Sequence, residues 1–188
     1  MPEQTGVTVI TSSRLVLRPM ASRDRETYVG LYTDPGVMQF IGAPLTGERA
    51  SRSFDEALVQ QASQAGFAPR WIIHAPDSDD GQGLLAIFAD ADAGCAEIGV
   101  MVLPKAQGRR LGVEALEAMI HAVFGAGWVD AIRARHLPEH QATRWMLETL
   151  GFPPGETRQG ECRWSITREQ WAGRGQRDDG VVAPPNYG

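Results

Sequence analysis

The segment from Ala96 to Gly127 constrains this chain more than any other. Ala96-Glu-Ile-Gly-Val-Met-Val-Leu reads as a strand stopped by Pro104. A polar turn follows, Lys105-Ala-Gln-Gly-Arg-Arg-Leu-Gly, and then Leu111, Ala115, Leu116, Met119, Ile120 and Val123 recur at helical spacing. The spacing predicts a helix that starts near Arg109 or Arg110 and ends near Gly125 to Gly127. Strand, turn and helix in that order gather unpaired backbone N–H groups and the positive end of a helix dipole at one point, where an anion such as a pyrophosphate binds. Gly108 and Gly112 permit close approach of backbone and ligand, and Arg109 and Arg110 add charge-assisted contacts. Taken alone, the same turn also reads as a plain basic loop with Gly112 as a packing residue.

Around this segment the pattern predicts one domain, in keeping with 188 residues. Arg14 to Pro19 alternates polar and apolar residues as a strand, and Asp24 to Tyr32 reads as a short helix ended by Asp34-Pro35. Thr46 caps a helix running to about Gln64. Arg70 to His74 and Gly83 to Phe88, separated by a turn-forming polar run, form a hairpin. Ala131 to Arg135 is a further strand. Pro138 opens a helix that Gly151 ends, and Arg163 to Thr167 is the last strand. The order gives an α/β fold: a mixed, mostly antiparallel sheet flanked by helices. The domain is expected over residues 7–172, and residues 173–188, rich in Gly, Pro and charge, as a flexible tail.

Several function classes are disfavoured. A net charge of −5 argues against a phosphate-hugging face, so no nucleic-acid partner is expected. Met1-Pro2-Glu3-Gln4 opens no secretory signal and no apolar stretch spans a bilayer, so a cytoplasmic protein without a membrane partner is expected. Cys95 and Cys162 are the only cysteines, and no His/Cys/Asp/Glu spacing suggests a metal. The nucleotide-binding signatures Gly-x-x-x-x-Gly-Lys-Ser/Thr and Gly-x-Gly-x-x-Gly are both missing.

Glu97-Ile-Gly-Val-Met-Val-Leu-Pro followed by Gln107-Gly-Arg-Arg-Leu-Gly-Val-Glu-Ala-Leu resembles the acetyl-CoA-binding motif of the GNAT superfamily of N-acetyltransferases. Ser13-Arg-Leu-Val-Leu-Arg-Pro, Asp34-Pro-Gly-Val-Met-Gln-Phe-Ile-Gly, Leu147-Glu-Thr-Leu-Gly-Phe and Ile166-Thr-Arg-Glu-Gln-Trp resemble its RimJ/RimL-like branch, in the family's order. The resemblance implies splayed strands at the cofactor site. Backbone groups of Val100, Met101 and Val102 would meet the pantetheine arm, and Gln107, Gly108, Arg109, Arg110, Leu111, Gly112 and Val113 would cradle the pyrophosphate. A backbone N–H near Met101 or Val102 would stabilise the oxyanion. His140 and Thr143 would face the cofactor. Two departures stand out: Arg110 replaces the first glycine of the family's turn, and His140 and Leu147 occupy positions where Asn and Tyr are frequent.

The implied reaction is direct attack of a primary amine, on a protein N-terminus or a small molecule, on acetyl-CoA. Amines are mostly protonated near neutral pH, so a base is needed. Glu97, at the start of the cofactor strand, is the first candidate if burial raises its pKa; His136 is the second. The alternative is a degenerate module that binds CoA without turnover. A monomer or homodimer is expected.

Overall fold

The computed structural model describes residues 8–63 and 68–176. Among the described residues eight strands form one sheet in the order β1-β2-β3-β4-β5-β6-β8-β7. They are β1 Ile10–Thr11, β2 Val16–Pro19, β3 Arg70–His74, β4 Gly83–Ala89, β5 Cys95–Val102, β6 Ala131–His136, β7 Glu156–Arg158 and β8 Glu161–Thr167. Every neighbouring pair is antiparallel except β5 and β6. A parallel pair needs a crossover, and the helix α4 (Leu111–Gly125) supplies it. The mixed sheet expected from the sequence is present, with short edge strands β1 and β7 in addition.

The helices α1 (Arg25–Thr33), α2 (Pro35–Met38) and α3 (Gly47–Ser63) lie on one side of the sheet, and α4 and α5 (Gln141–Thr149) on the other. Tyr28, Leu31, Phe54 and Ala57 pack with Ile72 and Leu84. Across the sheet, Leu116, Met119, Ile120 and Val123 of α4 pack with Leu85, Ile87, Ile132 and Ile166. This is the alternation of strand side chains seen from both faces. Arg18 and Asp24 bury a bidentate pair, both contacts 2.7 Å, that fastens β2 to the turn before α1.

Some boundaries differ from the sequence reading. Asp34 does not simply stop α1: its Oδ1 accepts the Val37 N–H at 2.9 Å and caps α2. Pro138 lies in the turn before α5 rather than inside it, with His140 N–H donating to Leu137 O at 2.9 Å and His140 serving as the N-cap. A further short helix, α6 (Arg168–Ala172), begins at a capping box on Thr167. The segment expected as a tail opens with a 3-10 turn, Gly173–Gln176, in which Arg174 reaches Leu150 O and Glu117 and covers the Trp171 ring. Residues 177–188 lie outside the described residues. No helix among the described residues is long and apolar enough to cross a membrane.

Candidate active site

β4 and β5 stay paired from Ala89↔Ala96 to Gly83↔Val102, whereas β5 meets β6 only at Cys95↔Ala131, Ala96↔Ile132 and Glu97↔Arg133. Past Glu97 the two parallel strands part. On the β4 side, Leu103 N–H donates to Gln82 O. Backbone groups alternate along a strand, so those of Ile98, Val100 and Val102 turn into the gap. The Val102 carbonyl accepts from Gln107 Nε2 at 3.0 Å, tying the turn to the strand's end. The backbone of Met101 belongs to the β4 ladder, so Met101 meets the gap differently from Val100 and Val102.

The turn enters α4 through two left-handed residues, Gly108 at φ 74° and Arg110 at φ 62°. A Cβ at Gly108 would touch nothing, so glycine is useful there for conformation. At Gly112 a Cβ would lie 3.3 Å from Met146 Sδ and within van der Waals contact of Val100 and Val102. Gly112 therefore sets the approach of α4 to β5 and α5, which is the packing alternative for this residue. The side chains of Leu111 and Val113 are buried in the core, leaving their backbone for a ligand. The N–H groups from Gly108 to Val113 find no backbone acceptor among the described residues, and the first one bonded is Glu114, to Arg110 O at 3.2 Å. Arg109 is exposed, and the Arg110 guanidinium lies over the Trp145 ring, 5.3 Å from its centroid. This row of free donors with two guanidinium groups beside it fits a diphosphate.

Where the strands part, a cavity of about 430 Å³ opens through the sheet. Ile98, Val100, His136, Thr143, Met146 and Leu147 line its α5 side. Tyr32 of α1, Phe40 and Ile41 after α2, and Ala86 and Phe88 of β4 line the other.

Residues 14–153 match the family described as Acetyltransferase (GNAT) domain. The chain belongs to the GNAT acetyltransferase family. It is 26% identical over 180 residues to the FsC-acetyl coenzyme A-N(2)-transacetylase of Aspergillus fumigatus, covering 85% of this chain and 76% of that one. The GNAT acetyltransferase of Bacillus anthracis superposes with a TM-score of 0.74 at 19% identity, over 86% of this chain and 99% of that one. RimL, a ribosomal L7/L12 alpha-N-protein acetyltransferase solved with coenzyme A, superposes with a TM-score of 0.70 at 15% identity, over 85% and 98%.

In this GNAT domain the sequence-expected residues Glu97, Val100, Met101, His136, His140 and Thr143 all reach one cavity. Their chemical states differ. Glu97 Oε1 accepts from Arg135 Nε at 2.8 Å with the side chain 32% exposed, so the carboxylate is half-buried and paired with a guanidinium. His136 is no solvated loop residue: it ends β6, is 6% exposed, and has both nitrogens occupied. Its Nδ1 is 2.7 Å from Leu137 O and Nε2 accepts from Trp164 Nε1 at 2.9 Å, which fixes the Nδ1–H tautomer. Burial pushes the Tyr32 phenol up, with Tyr28 adding to the shift.

His140 is held differently. Its ring stacks on Phe40, centroids 4.5 Å apart, and Thr143 Oγ1 lies 3.0 Å from Nδ1. Burial lowers its pKa, and the neighbouring His136 lowers it further. A neutral imidazole thus sits where α5 meets the loop after α2, between the two sides of the cavity. Among the described residues no cluster of three or more His, Cys, Asp or Glu is arranged to hold a metal ion. Phe40, Ile41, Gly99 and Arg135 escaped the sequence reading. Gly99, alone between Ile98 and Val100, carried a legible signal, since a glycine inside a strand marks close approach or open space.

Proposed function

We propose that this chain is an acetyl-CoA-dependent N-acetyltransferase acting on a primary amine, either a protein N-terminus or a small molecule. The observation that carries the proposal is the parting of β5 from β6 after Glu97, with the unpaired N–H groups that open α4 beside it. The fold likeness to RimL supports a RimJ/RimL-like branch and a protein N-terminus as one acceptor class. The Aspergillus relative, named for transfer from acetyl coenzyme A, supports the donor.

When bound, acetyl-CoA supplies an acetyl thioester. Gly108 to Val113 would hold its diphosphate through backbone N–H groups, with Arg109 and Arg110 adding charge. Val100 and Val102 would hold its pantetheine arm from the gap-facing side of β5, and their N–H groups, rather than that of Met101, would stabilise developing oxyanion charge. His140 and Thr143 line the same cavity. The acceptor nitrogen forms a C–N bond to the acetyl carbon as the C–S bond breaks. One proton leaves the ammonium beforehand, and a second leaves nitrogen during transfer while the sulfur gains one, giving amide and free thiol. Glu97 is engaged by Arg135 and His136 has no free nitrogen. His140 is therefore the group that accepts the amine proton, through whichever ring nitrogen is not paired with Thr143 Oγ1, which lies 3.0 Å from Nδ1 and 3.3 Å from Nε2.

Calorimetry with acetyl-CoA tests the donor site, and Arg109→Glu is the control because its exposed side chain leaves the fold intact. Losing one charge-assisted contact of ~1.5–3 kcal/mol should weaken binding tenfold or more. Binding that is absent in the native chain, or indifferent to Arg109→Glu, would sink the proposed site. Binding without turnover of any amine would instead favour the degenerate module.

A further inference from the structure

The acceptor side of the cavity has its own chemistry, and this inference rests on the acetyl-transfer reading above. Side chains alternate along β5, so Glu97, Gly99 and Met101 face away from Ile98 and Val100, with Phe88, Ala86 and Leu84 opposite them in register. The centre of this face is the Ala86↔Gly99 pair, which together carry one side-chain carbon. A Cβ at Gly99 would meet nothing within 4 Å, so the space above it is open. Tyr32, Phe40, Ile41 and Phe88 stand around that floor.

Two further observations describe what fits. Five large hydrophobic residues are exposed among the described residues, and three of them, Ile41 at 54%, Phe88 at 39% and Leu137 at 39%, line this cavity. Scattered single exposed hydrophobics are ordinary, but their concentration at one opening marks a binding surface. The cavity's two carboxylates, Glu97 and Glu161, both converge on Arg135, at 2.8 and 3.6 Å, and Glu161 also reaches Arg163 at 3.5 Å. A second positive charge on the acceptor would find no free carboxylate there and would face Arg135.

We propose that the acceptor is a primary amine carried on an uncharged apolar or aromatic body that lies on the Ala86–Gly99 floor against Phe88, Phe40 and Ile41. Polyamines and other polycations are poor acceptors despite the acidic net charge of the chain. A small arylalkylamine and a peptide beginning with a hydrophobic residue share this chemistry.

The test is amine-dependent release of free thiol from acetyl-CoA by the full chain, with 2-phenylethylamine, a Phe-initiated tripeptide amide and putrescine as probes. At least one apolar probe should exceed putrescine tenfold or more in kcat/KM, and the better of the two tells a small-molecule from a peptide source. Gly99→Val, which fills the floor with a good strand former, and Phe88→Gln, which makes the wall polar, should each lower that value about tenfold, the factor that one partly buried ring provides. Acetyl-CoA affinity should stay within twofold in both variants, which also shows that they fold. Putrescine turnover equal to or above the apolar probes overturns the inference and leaves the acetyl-transfer reading standing. So does unchanged kcat/KM in both variants, or acetyl-CoA binding with no turnover of either apolar probe. Absence of acetyl-CoA binding overturns the acetyl-transfer reading and this inference with it.

Discussion

Replacing Arg110 by glycine and, separately, by alanine isolates the strain stored at the start of α4. Arg110 sits at φ 62° and ψ 18° as the N-cap, where its side chain makes no capping hydrogen bond. A Cβ in this left-handed region costs ~1–2 kcal/mol. Both variants lose the guanidinium's place over Trp145 and its positive charge, so those losses cancel when the two are compared. What remains is the Cβ penalty, which alanine keeps and glycine removes, set against ~0.5–1 kcal/mol for the greater freedom of glycine in the unfolded chain. Arg110→Gly should therefore be more stable than Arg110→Ala by about 1 kcal/mol, or about 2–4 °C in Tm for a chain of this size. Against the native protein, alanine should also lose the ~0.5–1 kcal/mol of an exposed cation–π contact, while glycine should come out close to even. Urea unfolding reads this directly, provided the three m-values agree. Alanine equal to or better than glycine would refute the left-handed entry into α4, and with it the geometry on which the anion site is built.

Two other perturbations probe different parts of the molecule. Asp24→Ala leaves the buried Arg18 guanidinium with only its longer contacts to Asp79, at 3.3 and 3.6 Å, and should cost ~3–5 kcal/mol by urea unfolding, whereas a loss under ~1 kcal/mol would show that the pair is not closed as described. For His140 the folded pKa is lowered by burial and by His136, so the unfolded chain binds more protons below the ordinary value of about 6.5. The stability tied to His140 is intact above that pH and is lost as pH falls through the lowered folded value. His140→Asn should accordingly flatten the fall in urea midpoint between pH 7 and 5 and lower kcat near neutrality with a smaller change in acetyl-CoA affinity. A midpoint-against-pH curve that matches the native one would remove His140 as the titrating group.

The fold was legible wherever side-chain periodicity is local. Val123 and Leu116 announce α4, Pro104 ends β5, and the Asp77 to Gln82 run separates β3 from β4 because composition and spacing act over a few residues. Strands β1 and β7 were not legible: two or three residues carry no period, and Glu156–Arg158 is exposed along its length, held by its ladder to β8. The helix after Pro138 was placed too early because proline suits a first turn, yet the chain uses Leu137 to His140 for a turn and starts the helix at Gln141, with His140 as its N-cap. In the site, backbone features were readable from glycines and the strand–turn–helix order. Side-chain states were not. That Arg135 would claim Glu97, that Trp164 would occupy His136 Nε2, and that Phe40 would stack on His140 all depend on residues 28 to 100 positions apart being brought together by the sheet.

Under the proposed function the same strand would serve both substrates, because a strand has three usable directions once one neighbour leaves it. With β6 gone after Glu97, β5 keeps β4 on one edge, offers the backbone of Ile98, Val100 and Val102 on the other, and shows two side-chain faces above and below. The apolar Ile98 and Val100 turn toward α5, where Met146 and Leu147 support them, and the open Gly99 turns toward Tyr32 and Phe88. On that reading a side chain at position 99 would fill the acceptor face without touching the backbone edge, whereas a Cβ at position 112 would press on Met146 Sδ of α5 at 3.3 Å and reach Val100 and Val102 only at ordinary van der Waals distance. The two glycines thus lie on opposite sides of one strand, and under the proposed function substitution at position 99 should alter acceptor binding while acetyl-CoA binding is held constant.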